Sequence, residues 1–279
     1  MLLSRTYRPS LPLAPFIRRF YIFEAQLPPD MVIEDFLLAE TAFIRCLLHG
    51  DWQGEVAPGQ WDQPGKTLLF GANERPFRVR VQGSFHVVGI AIRPSGWHAL
   101  FDQSHRAFTD RMLCLQDVWG ELADGMCAGV ESACDDAAKI AAMSGTLERR
   151  LEEVGTRRSD PRMAEFEVIA RTDSAMRVED AADRIGLSVR QLERRCLGTF
   201  GLSPKTVLRR SRFLDMATAM RGFSTPTEQD LAALRYFDQS HVTREFKRFS
   251  GMTPRQFERA DTPLHTAGLK LREESLHED

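Results

Sequence analysis

The chain has 279 residues, a mass of 31.7 kDa and a formal net charge of −2. Hydrophobic residues make up 43 % and charged residues 27 %, which is ordinary for globular proteins and excludes disorder over most of the length. No apolar run approaches the roughly 18 residues that a spanning helix needs. A chain of this length predicts about two domains, each with its own core.

The start of the chain and its cysteines bear on the cellular compartment. Arg5 and Arg8 follow a short apolar start, which is not the basic-then-apolar order of a secretory signal. The five cysteines are odd in number, and no two of them form a C-x-x-C pair. The sequence therefore predicts neither a disulfide framework nor a zinc site, and a reducing cytoplasm is the simplest location.

Residues 1–110 are predicted to form a β-rich domain. Residues 77–82 alternate apolar and polar side chains, and residues 85–92 form a short apolar run; both patterns are typical of strands. Two further strands are predicted at 43–48 and 67–70. Turn-forming pairs separate these segments, among them Gly50-Asp51 and Gly83-Ser84. Short strands with frequent turns favour a small barrel or sandwich.

Aromatic residues of this half offer a candidate effector pocket. We expect Trp52 and Trp97 to line it, and the alternative is that each is a plain core residue. From residue 111 to 155 the pattern becomes helical, which predicts a helical linker that is also a candidate dimerisation region. Apolar residues between 131 and 154 are spaced for one face of a helix, or of a helix pair broken near Ser144.

Patterns of catalytic residues are missing from the N-terminal half. Its histidines (His49, His86, His98 and His105) form no H-x-H or H-E-x-x-H arrangement. The sequence also lacks a G-x-S-x-G motif, a glycine-rich phosphate loop and a nucleophilic cysteine signature. We therefore expect no enzyme activity, no metal and no cofactor.

Charge is unevenly distributed along the chain. Residues 1–162 carry a net charge of −3, residues 163–260 carry +4, and the acidic tail 261–279 carries −3. Within the basic part, residues 184–212 contain eight basic side chains and one acid, Glu193. Such a run indicates an anionic partner or a solvated helical face, and charge alone does not decide between them.

The basic region contains a predicted helix-turn-helix unit. A short helix at 178–185 ends at Gly186, and Ser188 can cap a second helix at 189–199. Val189, Leu192 and Cys196 are predicted to face inward. The outer face of the second helix carries Arg190, Glu193 and Arg194. This is the geometry that enters a DNA major groove.

The pattern recurs about 50 residues later. A connecting helix is predicted from Ser203-Pro204 to Met220, with Arg209 and Arg212 on its polar side. A short helix follows at 230–234, and Asp238 can cap a helix at 239–249. The outward residues of that helix are Gln239, Ser240, Thr243, Arg244 and Lys247. The tetrapeptide GLSP at 201–204 corresponds to GMTP at 251–254, so the two units are internal copies.

The motifs resemble one family of regulators. A-x-x-I-G-L-S-x-R-x-L-x-R-R at 182–195 and D-Q-S-H-x-x-R-E-F-K-R-x-x-G-M-T-P at 238–254 are similar to the tandem helix-turn-helix domain of AraC/XylS transcriptional regulators. The sequence departs from the usual pattern at Cys196-Leu197, and it is one residue shorter between Leu231 and Tyr236.

The resemblance implies the fold class and the partners. It implies an α+β chain, with a β-rich, cupin-like regulatory domain followed by an all-α DNA-binding domain at 162–260. It further implies double-stranded DNA as partner, a small-molecule effector and a homodimer, with RNA polymerase as a further candidate partner. The alternative is a DNA-binding regulator without small-molecule input, whose N-terminal half serves dimerisation or protein contacts.

Overall fold

The structure is a computed structural model that describes residues 2–155, 158–224 and 239–276, without the side chains of 239–241, 275 and 276. Over these ranges, no helix has both the length and the apolar character to cross a membrane. The same ranges contain no cluster of three residues suited to holding a metal ion.

Eight antiparallel strands form one sheet in the N-terminal half, in the order β1-β2-β7-β4-β6-β8, with β3 paired to β7 and β5 to β4. The strands are β1 Leu2–Tyr7, β2 Ile17–Ala25, β3 Val32–Leu37, β4 Phe43–Ala57, β5 Gln60–Asp62, β6 Thr67–Phe70, β7 Phe77–Ile92 and β8 Met112–Cys114. The long strand β7 pairs with three neighbours and so holds the sheet together.

Two predicted turns lie inside strands. Gly50 (φ 101°) is part of β4, and Gly83 (φ 67°) is part of β7. The β4–β7 register shifts around Gly50, between His49 and Asp51. A glycine with positive φ permits such an irregularity without ending a strand. The segments predicted as separate strands at 77–82 and 85–92 are therefore one strand.

Helices follow the sheet, and their bounds are α1 Trp97–Leu100, α2 Gln116–Trp119, α3 Glu121–Ser132, α4 Asp136–Val154, α5 Pro161–Thr172, α6 Val178–Arg184, α7 Val189–Thr199, α8 Pro204–Met220, α9 Gln239–Ser250, α10 Pro254–Arg259 and α11 Pro263–Leu276. Short 3-10 helices span Pro94–Gly96 and His105–Phe108. The expected α+β class, a β-rich half followed by a helical half, is confirmed. Helix α11 lies within the segment predicted to be an acidic tail.

Helices α3 and α4 cover one face of the sheet. Met126 on α3 and Met143 and Leu147 on α4 are fully buried and belong to one core cluster with the sheet residues Ile44 and Val88. Helix α4 continues without a break through Ser144 and Gly145. Its main apolar residues thus pack inside the protomer, whereas dimerisation through 131–154 stays a prediction.

The two halves are in contact at His105. The His105 Nε2 accepts from the Ala72 backbone N–H at 3.1 Å, so Nδ1 carries the proton and donates to the Thr199 carbonyl at the end of α7, at 2.8 Å. Thr109 Oγ1 donates to the Gly201 carbonyl at 2.9 Å. Burial lowers the pKa of His105 to about 4, because the charged ring would have no water around it.

Acidification should therefore weaken the fold through His105. The unfolded chain takes up a proton near pH 6.5, whereas folded His105 stays neutral down to about pH 4. Its contribution to stability is complete above pH 6.5 and is lost as the pH falls, by about 2 kcal/mol between pH 7 and pH 5. Urea unfolding of His105→Gln at both pH values should show a pH dependence smaller by that amount.

Unfolding of the wild-type protein under the same conditions is the reference for this comparison. Equal pH dependence in His105→Gln and the wild type would contradict a buried, neutral His105.

Candidate nucleic-acid interface

The first helix-turn-helix unit is fixed by its caps and its small core. The Ser188 Oγ accepts from the Gln191 backbone N–H at 3.3 Å, and the Gln191 side chain accepts from the Ser188 N–H at 2.9 Å. These reciprocal bonds satisfy two free donors and set the start of α7. Leu192 and Cys196 are fully buried, so the opposite face of α7 is turned outward.

The outward face of α7 carries the residues predicted for it. Arg190, Glu193 and Arg194 are all exposed, and they lie within one turn and a half of the helix. Val189, expected to face inward, is 37 % exposed, because it lies in the first turn beyond the buried core. The structure thus brings the three predicted side chains of the first unit together on one surface.

Helix α9 presents the second surface. Phe246 and Phe249 are buried, while Arg244 and Lys247 are exposed and Thr243 is half-buried. The predicted site residues Gln239 and Ser240 begin this helix, and their side chains lie outside the described residues. Also outside them are the predicted helix 230–234, the shortened turn before Tyr236 and the predicted cap Asp238.

Aromatic packing joins the second unit to the connecting helix. Phe213 on α8 meets the rings of Phe246 and Phe249 on α9, with centroids 5.0 and 5.5 Å apart. Phe257 on α10 closes the cluster at 6.2 Å from Phe213. Rings at such distances and tilts pack favourably, so this cluster holds α9 and α10 against α8.

The two predicted contact residues of α8 make intramolecular bonds. The guanidinium of Arg209 forms a bidentate ion pair with Glu245 of α9: Nε donates to one carboxylate oxygen at 3.0 Å, and Nη2 donates to the other. Arg212 Nη2 donates to the Ser174 carbonyl at 2.8 Å, and burial lowers the pKa of Arg212. The structure thus places both guanidiniums between helices, and their contact with DNA stays a prediction.

The two predicted effector residues lie in different cores. Trp97 is fully buried, stacks between Phe101 and His105 at 4.1 and 4.0 Å, and donates from Nε1 to the Gln103 carbonyl at 2.7 Å. Trp52 packs edge-on to Phe85 in the other core cluster. The structure does not bring the two rings together, and their role toward an effector stays a prediction.

A cavity of about 110 Å³ lies where the sheet meets the C-terminal half. Strands β2, β3 and β4 contribute one wall, and Leu214 of α8 with one side of α11 contributes the other. The apolar lining includes Phe23, Leu37, Phe43, Leu264, Leu269 and Leu271. A molecule in this cavity would touch both halves of the chain.

Charged residues crowd one side of the cavity around Glu40. The Glu40 carboxylate pairs with Arg18 at 2.8 Å and with Arg272 at 3.5 Å. Arg210, fully buried on α8, donates to the Glu40 carbonyl. Burial alone would raise the pKa of Glu40, but the Arg18 and Arg272 guanidiniums hold it below its usual value. Glu40 thus connects β2 and α11 through its carboxylate and α8 through its backbone carbonyl.

Two arginines of the lining have no carboxylate partner among the described residues. Arg45, 6 % exposed, donates from Nε to the Tyr21 hydroxyl at 3.1 Å, and its guanidinium lies 4.8 Å from the Phe43 ring centre. Arg19 donates to the Leu271 carbonyl. Burial, with the charges of Arg18 and Arg171 nearby, lowers the pKa of Arg19 to about 9. Among the described residues, the cavity lining thus holds four arginines (Arg18, Arg19, Arg45 and Arg272) and one carboxylate, Glu40, which is an excess of positive charge.

The unusual positions of these arginines are visible in the sequence, although hydrophobic periodicity does not identify them. Arg18 and Arg19 interrupt the apolar run IRRFYIF, and Arg45 interrupts FIRCLL. Charged side chains inside apolar strands are rare unless paired or functional. The signal identifies the residues, but the pairing with Glu40 and Arg272 joins segments far apart in the chain and has no local pattern.

Comparisons with known proteins agree with the motifs. Residues 181–260 match a family model described as a helix-turn-helix domain, and residues 5–113 match a domain of unknown function, DUF6597. Among proteins with curated descriptions, none matches the chain.

Several solved structures are similar in outline. ToxT from Vibrio cholerae O395 is 12 % identical, over 92 % of this chain and 96 % of ToxT, with a TM-score of 0.44. Unsaturated fatty acid-bound ToxT from strain SCE256 is 13 % identical over 86 % and 94 %, with a TM-score of 0.45. The AraC-like transcriptional activator CuxR is 13 % identical over 77 % and 86 %, with a TM-score of 0.27.

The family match covers α7 with its capping box, the exposed basic faces of α7 and α9, and the GMTP tetrapeptide. The C-terminal part of the chain is therefore an AraC-type helix-turn-helix domain, and the protein is a DNA-binding transcription regulator.

Proposed function

We propose that the protein binds a specific DNA operator through α7 and α9, and that a small organic anion in the cavity controls this binding. Residues 1–110 act as the effector domain, 111–155 as a helical linker and 162–260 as the DNA-binding domain. The protein acts in the cytoplasm, where its DNA partner is. The observation that carries the effector part is the cavity: its walls come from both halves, and they hold Arg45, which has no carboxylate partner within the part of the chain that the structure describes.

The proposed DNA contacts are of two kinds, those to base edges and those to the phosphate backbone. Arg190 and Arg194 on α7 and Arg244 on α9 project outward, and a guanidinium in the major groove can donate two hydrogen bonds to guanine. Lys247 is suited to a phosphate, because an ammonium is a point charge without a fixed donor plane. Glu193 beside Arg194 can accept from cytosine and adds selectivity.

The chemistry of the cavity favours an anion with an apolar body. A carboxylate would compensate the guanidiniums of Arg19 and Arg45, whose neutral partners leave their charge unbalanced. The lining leucines and phenylalanines would cover a hydrocarbon or aromatic body. A neutral molecule would leave both charges uncompensated, so we infer a monocarboxylate.

A regulator without small-molecule input is the second candidate. The charge of Arg45 favours the first candidate, because an anion in the cavity would give this guanidinium the carboxylate partner that it lacks among the described residues. Homodimerisation and contact with RNA polymerase are compatible with both candidates.

Arg194→Ala should weaken binding to an operator selected from a random duplex pool by ~1–3 kcal/mol, and should relax preference at one base pair. Competition binding against scrambled duplex measures both effects. Arg106→Ala, which removes an exposed charge from the N-terminal half, is the control and should change neither. Equal losses on operator and scrambled DNA would contradict the assignment of α7 as a reading helix.

Arg209 is expected to position α9 through Glu245. Arg209→Ala and Glu245→Ala should each weaken operator binding, and the double variant should lose little more than either single one, because both remove the same ion pair. The sequence-based alternative makes Arg209 a phosphate contact. It would be supported if only Arg209→Ala weakens binding and the salt dependence falls by about one unit.

The effector part is tested by thermal unfolding with linear and aromatic monocarboxylates, each beside its amide. At least one acid, and not its amide, should raise the melting temperature, since a ligand of the native state stabilises it. Arg45→Met should abolish this shift without lowering the melting temperature of the free protein, because it removes an unpaired buried charge.

Arg78→Met is the matched control. Arg78 lies over the Trp61 ring at 5.2 Å, outside the cavity, and its loss should leave the shift intact. Equal shifts from acids and amides, or none from any acid, would contradict an anionic effector.

A further inference from the structure

Helix α11 lies beyond the matched helix-turn-helix domain, which ends at residue 260. Leu264 and Leu271 join the core cluster of the sheet, whereas Leu269 joins the cluster of Phe213 on α8. One helix is thus buried against both halves of the chain at once.

The effector domain supplies the cap of this helix. Asp35 on β3 accepts from the backbone N–H groups of Leu264 at 2.7 Å and His265 at 3.0 Å. The His265 ring stacks on Phe36, with centroids 4.3 Å apart. Thr262, the residue in position to cap locally, instead bonds Arg221 at 2.8 Å. The free donors of the first turn of α11 therefore depend on a carboxylate from the other half of the chain.

The last turns of α11 are held from both sides. Arg19 on β2 donates to the Leu271 carbonyl. Arg272 pairs with Asp215 on α8 at 2.7 Å and with Glu40 at 3.5 Å. Asp215 also accepts from Ser174 Oγ at 2.8 Å, which ties in the segment before α6.

We propose that α11 is a clasp: it fixes the DNA-binding domain against the effector domain and transmits the occupancy of the cavity to DNA binding. The part played by the cavity rests on the proposed function. Arg19 both holds α11 and lines the cavity. A carboxylate bound in the cavity accepts from the Arg19 guanidinium in place of the neutral Leu271 carbonyl, because a charge-assisted hydrogen bond is the stronger of the two. Binding of the anion thereby loosens the last turns of α11.

The clasp is tested on the full chain without any ligand. Asp35→Ala removes the cap and should speed amide hydrogen exchange across 262–276, while exchange in α7 and β4 stays as in the wild type. It should also change operator affinity by about fivefold or more, because the two halves are then no longer held in one arrangement. Arg272→Met cuts the clasp at its other end, by removing the ion pairs with Asp215 and Glu40, and replaces Asp35→Ala if that variant fails to fold.

Lys270→Ala is the control on the same helix. Lys270 is exposed, and its one ion pair among the described residues is with Glu274 at 3.9 Å, so its loss should alter neither exchange nor affinity. Faster exchange in α11 with operator affinity within about twofold of wild type overturns the proposal, and so does unchanged exchange in a folded Asp35 variant. Failure of the effector proposal is recognised separately, by the absence of any acid-specific thermal shift.

Discussion

One largely buried residue, Glu40, holds the arrangement of the two halves. Glu40 lies in the connection between β3 and β4, and it meets Arg18 from the sheet and Arg272 from α11, while its carbonyl accepts from Arg210 of α8. A carboxylate in this position is stable only because its partners compensate the loss of water. Arg18 pairs in addition with Glu167 on α5, and Arg272 with Asp215 on α8, so the network fixes which surfaces of the two halves meet.

The network also explains why the cavity is unusual. Glu40 satisfies Arg18 and Arg272, but the same wall contains Arg19 and Arg45, which have only neutral partners among the described residues. An unpaired buried charge costs stability, and proteins retain such costs mainly where function needs them. The positive excess at this wall therefore identifies the site where an anion has most to gain.

Local signals predicted the helical half closely. The Ser188 and Ser203 caps, the glycine between α6 and α7 and the proline after Ser203 set α7 and α8 at the bounds observed, since caps and turns act within a few residues. The strands were less predictable. Gly50 and Gly83 adopt positive φ angles, and a glycine with positive φ is typical both of a turn and of a bulge inside a strand, so the residue type alone does not distinguish the two. Helix α11 was not predicted, because the acidic residues near its end led to an acidic tail being expected there, although Leu264 and Leu271 are spaced for one buried helical face and Leu269 is buried on another.

The role of a side chain could be predicted only where its contacts lie close to it in the sequence. The exposed positions of Arg190, Glu193 and Arg194 follow from helical periodicity alone. Arg209 pairs with Glu245, and Arg210 is buried against Glu40. The sequence around these two residues does not distinguish them from a solvent-facing arginine of the same helix. The candidate DNA surface was thus predictable, whereas the contacts that join it to the effector domain were not.

The central claim is that the DNA surface and the cavity are linked through α11. By thermodynamic reciprocity, a ligand at either site must affect the other. Hydrogen exchange of the full chain with and without its selected operator tests this most directly. The account predicts altered exchange in α11 and β3, far from α7 and α9. Changes confined to α6 through α10 would contradict it.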